Sequence, residues 1–142
     1  MSHTNKPEML GGCLCGAVRY ASKTKPDMVV VCHCANCQKN TGSAFSITFA
    51  VPHDAINIAG DTLVTYQDNS GSSVHTFHRS FCSHCGSPIA GYGGAYPGLI
   101  FIKAGTLDDP SWVKPSTHIW CCSKQPWVSI DPNARRLTRD WD

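Results

Sequence analysis

The sequence has few charges and no concentrated ones. Of its 142 residues 15% are Asp, Glu, Lys or Arg, the formal charge is +2, and no run of Lys or Arg occurs. A chain whose main work is gripping nucleic acid or an anionic membrane needs clustered cations, so both are excluded as expected partners. Long apolar runs are missing too: "MVVVC" and "LIFI" fall far short of the roughly 20 residues that cross a bilayer. The start, "MSHTNKPEMLGG", lacks the apolar segment of a secretory signal, and a cytoplasmic protein is expected. There is no internal repeat, low-complexity tract or linker, and no stretch with a convincing helical period. With 42% apolar residues the chain can still bury a core. Its length suits a lead-in over residues 1–10 and a single domain over 11–142.

The apolar pattern is that of strands. Residues 17–22 ("AVRYAS") alternate, and 28–31 form a short β-branched run. Residues 44–51, 56–59, 62–67, 74–81 and the apolar 98–105 continue the series, with "DNSGSS" at 68–73 as a turn. Frequent turn residues predict a mostly β fold of sandwich or barrel-like type with very little helix. The one short helix is placed at 35–40, and 131–137 is expected to turn with Asp131 as its cap.

What the sequence does have is cysteine. Nine residues fall into four groups: Cys13 and Cys15; Cys32, Cys34 and Cys37; Cys82 and Cys85; Cys121 and Cys122. A reducing compartment leaves thiols free for metal or chemistry, and cysteines one residue apart bridge each other poorly. Tight CxC and CxxC turns bring sulfurs to about 2.3 Å from a zinc ion while backbone amides support the thiolate charge. "CSHCG" at 82–86 is such a knuckle, with Gly86 free to take a positive φ. Its natural complement is "GGCLCG" at 11–16, which gives a closed structural zinc site of Cys13, Cys15, Cys82 and Cys85.

Cys32, Cys34 and Cys37 then make a second zinc site with an open fourth position, the arrangement of reactive zinc. His33 lies between two ligands and should point away, while His75, His78, His84 and His118 stay open as distant fourth ligands. Another partition, Cys13, Cys15, Cys32 and Cys34 around one ion, also stays open, as does a passive module with two structural sites. Cys121 and Cys122, after a strand-like "HIW", read as small buried hydrophobes.

The blocks "GGCLCGAVRY" (11–20), "CHCANCQKNTGSAF" (32–45), "FCSHCGSPI" (81–89), "IKAGTLDDP" (102–110) and "PSTHIW" (115–120), with a following "PW" (126–127), occur in order. Together they resemble the glutathione-dependent formaldehyde-activating enzymes and their relatives, the group that includes centromere protein V. The resemblance spans most of the chain. It implies a small, mostly β, tent-like fold shared with a zinc chaperone of Rab GTPases. It also implies a structural zinc on Cys13, Cys15, Cys82 and Cys85, and a labile zinc at the active site on Cys32, Cys34 and Cys37. The family reaction is formation of S-hydroxymethylglutathione from glutathione and formaldehyde, the work of a carbon-sulfur lyase.

Charge favours related chemistry. Zinc held by three thiolates carries a net negative charge, which makes it a poor activator of water and suits it to a soft thiol as fourth ligand. The expectation is therefore an enzyme with two Zn2+ per chain. A low-molecular-weight thiol such as glutathione would occupy the Cys32, Cys34 and Cys37 site, its sulfur attacking or leaving a small carbonyl compound. Lys39, Arg79 and Lys103 are candidate partners for the thiol's carboxylates, and Ser43 in "TGSAF" offers a hydroxyl. His118 is a proton shuttle or a satisfied core histidine. The alternative is a non-catalytic zinc module that binds a protein or carries zinc or thiols. The substrate and the oligomeric state are left open.

Overall fold

A computed structural model of the chain describes residues 6–26, 28–71 and 74–140. The first five residues of the expected lead-in, the last two of the expected turn at 68–73, and residues 141 and 142 lie outside the described residues. The strands are β1 (Met9–Gly12), β2 (Arg19–Ser22), β3 (Val29–Cys32), β4 (Ser46–Pro52), β5 (Ile56–Ala59) and β6 (Leu63–Asp68). They continue with β7 (Phe77–Cys82), β8 (Pro88–Gly93), β9 (Tyr96–Lys103), β10 (Thr117–Ile119) and β11 (Arg135–Arg136), and one helix, α1 (Ala35–Thr41), follows β3. The mostly β, helix-poor single domain expected from the sequence is the one observed. Among the described residues no helix is long and apolar enough to cross a membrane.

Strands β1, β2 and β5 form a small antiparallel sheet. The other eight form a larger sheet in the order β11-β10-β3-β4-β9-β8-β7-β6, in which β10 runs parallel to both its neighbours. Alternation along the central strands explains which face is buried. Phe49 and Val51 on β4 stand opposite Ile102 and Ile100 on β9, and all four are essentially inaccessible. Ile89, Val18, Tyr20 and Met9 complete the same core, so the small sheet packs on this face. Each such side chain contributes roughly 1.5–3 kcal/mol of transfer free energy. The other face carries Cys32, Ser46, Thr48 and Lys103, which stand opposite one another in pairs across β3, β4 and β9.

Strand bounds fall within a few residues of the sequence reading, and α1 extends the expected 35–40 by one residue. The stretch at 131–137 does turn on Asp131, whose carboxylate accepts from the Asn133 amide at 2.9 Å, before β11 begins. Strand β8 is a departure, because Pro88, Gly91 and Gly93 read as breakers. Gly91 is there because the Phe77 ring lies 2.5 Å from where its β-carbon would stand. Cys121 and Cys122 are a correction: Cys121 is half-buried and Cys122 exposed. Trp120 adopts a left-handed backbone (φ 56°) that turns the chain off β10 into a 3-10 turn and carries both thiols out of the core.

Candidate metal centres

The two cysteine knuckles expected to complement each other meet where the small sheet abuts the end of β7. Cys13 follows β1, and the turn through Cys15 closes with Gly16 at φ 83°, whose amide donates to the Cys13 carbonyl at 3.2 Å. Cys82 ends β7, and the turn through Cys85 closes with Gly86 at φ 81°, whose amide donates to the Cys82 carbonyl at 2.7 Å. A residue with a β-carbon rarely holds that conformation. The four sulfurs lie within 4.8 Å of one another, with Cys13 and Cys15 at 3.6 Å and Cys15 and Cys82 at 3.8 Å. Four thiolates at about 2.3 Å from a tetrahedral zinc stand about 3.8 Å apart, so the donor set fits that ion.

Polar groups around these sulfurs favour thiolate. The Val18 amide donates to Cys13 Sγ at 3.2 Å, and the Thr62 hydroxyl lies 3.2 Å from Cys82 Sγ. The Ser87 hydroxyl lies 3.2 Å from Cys85 Sγ and accepts the Leu14 amide at 3.0 Å, tying the two knuckles together. Cys85 is pulled down to about 5, chiefly by that hydroxyl, and Cys82 is also lowered, chiefly by Thr62. Cys15 moves the other way, up to about 11. The Ala17 amide pulls it down, but desolvation and the hydrogen bonds shared with Cys13, Cys85 and Cys82 outweigh that pull.

The remaining three sulfurs meet at the junction of β3 and α1. Cys32 ends β3, and Cys34 caps α1, its extended backbone (φ −64°, ψ 155°) letting Sγ accept the Cys37 amide at 3.3 Å. The three sulfurs also lie within 4.8 Å of one another. Hydrogen bonds from Cys32 and Cys34 drive Cys37 far down, while Cys32, the donor, is driven up and Cys34 is raised. The mixed partition of Cys13, Cys15, Cys32 and Cys34 is not the one the fold assembles.

Among the described residues no histidine, aspartate or glutamate joins this trio within the same span. His33 is fully buried and points away, its Nε2 2.9 Å from Nδ1 of His118 with the rings stacked. Burial first, and then His118, pull His33 down to about 4. His84 belongs to the other centre, its Nδ1 3.3 Å from Cys15 Sγ, and His78 stacks on Tyr92 with ring centroids 4.8 Å apart.

Two residues that the sequence reading did not single out hold the trio in place. Gln38 donates to the His33 carbonyl at 2.8 Å and the Ser123 carbonyl at 3.2 Å and accepts from Gln125 at 2.8 Å, docking α1 on the turn after β10. Ser46, opposite Cys32, is 2% exposed, and its hydroxyl lies against Cys37, whose thiol it helps to pull down. Neither carries a sequence signal, since both act through register and packing.

A cleft of about 350 Å³ is lined by Thr41, Ser43, Phe45, Ser46, Lys103 and Thr106 among others; none of the three cysteines lines it, and Ser46, opposite Cys32, is what relates it to the trio. Of the candidate substrate partners, Ser43 and Lys103 line it, Lys39 is exposed on α1, and Arg79 is bound to Asp68 at 2.8 Å. A second cleft of about 400 Å³ beside the four-cysteine centre shares Ser87, Gly105 and Thr106 with the first.

A sequence model described as glutathione-dependent formaldehyde-activating enzyme matches residues 8–123. A curated protein of Halomonas elongata is 27% identical over 125 residues, covering 85% of this chain and 80% of that one. Proteins of Penicillium rubens and Talaromyces marneffei are 31% and 30% identical over 88 residues. Those alignments take in 59% of this chain but 44% and 45% of theirs, so the chain spans less than half the length of these fungal relatives. All three are provisionally named as glutathione-dependent formaldehyde-activating enzymes. A crystal structure of a Rhodobacter sphaeroides protein shares the fold at a TM-score of 0.56 and 22% identity, covering 75% of this chain and 92% of that one.

Proposed function

The chain belongs to the glutathione-dependent formaldehyde-activating enzyme family, and from that membership we propose that it joins or releases a low-molecular-weight thiol and a small carbonyl compound. Glutathione and formaldehyde are the first pair to test. The observation that carries this reading is the trio Cys32, Cys34 and Cys37, whose sulfurs converge with no fourth cysteine, histidine or carboxylate among the described residues. In the same reading Cys13, Cys15, Cys82 and Cys85 hold a structural zinc and the trio holds a second, reactive one. Zinc on the trio would supply a soft Lewis acid that keeps a substrate thiol deprotonated near neutral pH.

The protein's own groups do the rest. The cleft receives the thiol's backbone, and Ser43 at its edge offers a hydroxyl. Ser46, buried beside the trio, helps to hold Cys37 as a thiolate. The substrate sulfur attacks the carbonyl carbon, a C–S bond forms as the C=O π pair moves onto oxygen, and that oxygen takes up the proton the thiol gave away. Lys39 and Arg79 are weaker contributors, one lying on the outer surface of α1 and the other committed to Asp68. His118 spends its Nδ1 on His33, which favours a positioning role for the CHC loop over proton transfer.

Metal analysis should find two zinc ions per chain. After cobalt exchange, glutathione should alter the absorption of one ion only, and formaldehyde with glutathione should give S-hydroxymethylglutathione by NMR. Two equally inert ions with no product would favour the alternative, a zinc module for protein contacts.

A further inference from the structure

Lys103 ends β9 opposite Thr48 of β4. Thr48 and Ser46 are two residues apart and face the same side of the sheet, and Ser46 stands opposite Cys32. Lys103, Ser46 and Cys32 therefore share one face, and Lys103 and Ser46 line the same cleft. Burial, with some help from Arg79, pulls its ammonium down from the ordinary lysine value, while Cys37 and then Cys32 and Cys34 pull it back up. Among the described residues the ion pairs are Arg19 with Asp108 and Arg79 with Asp68, so no carboxylate pairs with Lys103. Arg79 lies on this face too, but its charge is answered by Asp68. Lys103 is half-buried, and a cation partly withdrawn from water is better stabilised where an anion answers it. Here the groups whose negative charge favours the ammonium are the sulfurs of the trio, which lie on the same side of the sheet.

We propose that Lys103 is the fixed countercharge of the three-cysteine centre and makes that centre selective for ligands that bind as anionic sulfur. The inference rests on reading the trio as a thiol-binding metal site, and it gives Lys103 a task other than clasping a substrate carboxylate. Three thiolates on a divalent ion leave one net negative charge, and a fourth thiolate adds another. Lys103 offsets the second, whereas a neutral ligand gains little from it. Two unit charges several ångströms apart at the effective dielectric of a protein differ enough from an unpaired charge to change affinity roughly ten- to a hundredfold.

The test uses a thiol that has no carboxylate. The cobalt-loaded protein, K103M and K103R are titrated with 2-mercaptoethanol, glutathione and imidazole, following the sulfur-to-cobalt absorption, with thermal melting as a check on folding. K103M should lose about ten- to a hundredfold in 2-mercaptoethanol affinity, keep imidazole binding within about twofold, and be largely rescued in K103R. If K103M fails to fold, K103Q carries the same comparison. Unchanged 2-mercaptoethanol binding in K103M overturns the proposal, and a loss confined to glutathione does so by making Lys103 a carboxylate clamp. A wild-type protein that loads cobalt at the trio but takes no thiol overturns the reading of the site as well, which separates the two failures.

Discussion

Cys34 is both a sulfur of the trio and the cap of α1, accepting the Cys37 amide at 3.3 Å. Serine oxygen caps a helix as well as sulfur does, so Cys34→Ser removes a metal ligand and leaves the local fold supported. We expect its stability to stay within about 1 kcal/mol of wild type, while the labile metal and the activity are lost. Cys82 is different in kind. It is fully buried in the core cluster, within 3.8 Å of Cys15 Sγ, and supported by the Thr62 hydroxyl. Where metal binding is part of folding, removing one of four ligands takes away several kcal/mol, which should lower the melting temperature of Cys82→Ser by roughly 10 °C or more. Calorimetry of the two variants side by side checks this. Equal losses would mean that the centres do not divide into structural and reactive.

Single elements carry the next layer. Helix α1 is too short to be stable alone, and its place against the turn after β10 depends on Gln38. Supporting hydrogen bonds of this kind typically hold ten- to a hundredfold in metal affinity. Gln38→Ala should therefore loosen the trio's ion by about that factor in a chelator competition and leave the four-cysteine ion in place. The hairpin of β6 and β7 is fixed by Asp68, which accepts from the Ser70 amide and hydroxyl and from Arg79 Nε at 2.8 Å. Burial would raise that carboxyl, but Ser70 and then Arg79 outweigh it and hold it below the usual carboxylate range. A group lowered on folding stabilises above its unfolded pKa, and that contribution fades as pH falls through the folded value. Asp68→Asn should cost about 1–3 kcal/mol at pH 7, and the gap to wild type in urea unfolding should narrow as pH falls below the usual carboxylate range.

Local patterns were readable at this scale and distant pairings were not. The spacing of seven cysteines, the helix at Ala35 and the turn on Asp131 are each written within a few residues. The parallel docking of β10 on β3 joins segments more than eighty residues apart, and nothing in either segment announces it. Ser46 and Lys103 became part of the site through register, because their distance from the trio follows from how β3, β4 and β9 align. Glycines concealed β8, since a residue chosen to admit the Phe77 ring reads locally as a strand breaker.

The whole molecule places its two cysteine clusters unequally. Cys13 and Cys15 follow the edge strand of the small sheet, and Cys82 and Cys85 end β7 of the large one, so that centre ties two sheets together across one core. The trio sits at β3, with β4, β9 and β8 between it and β7, and joins only a strand to the helix that follows it. Loss of an ion from the trio frees a loop and a short helix, whereas loss from the four-cysteine centre frees the N-terminal segment that covers the core. Metal release under a chelator should accordingly come in two stages. The first ion should leave with at most the small change in circular dichroism that a seven-residue helix carries, and the second only as the domain unfolds cooperatively. Stopped-flow detection of released zinc, run beside far-ultraviolet circular dichroism, separates the stages. If both ions leave a folded protein at one rate, the four-cysteine centre is not what joins the sheets; the shared core of Val18, Tyr20, Phe49 and Ile102 must then do so by packing alone.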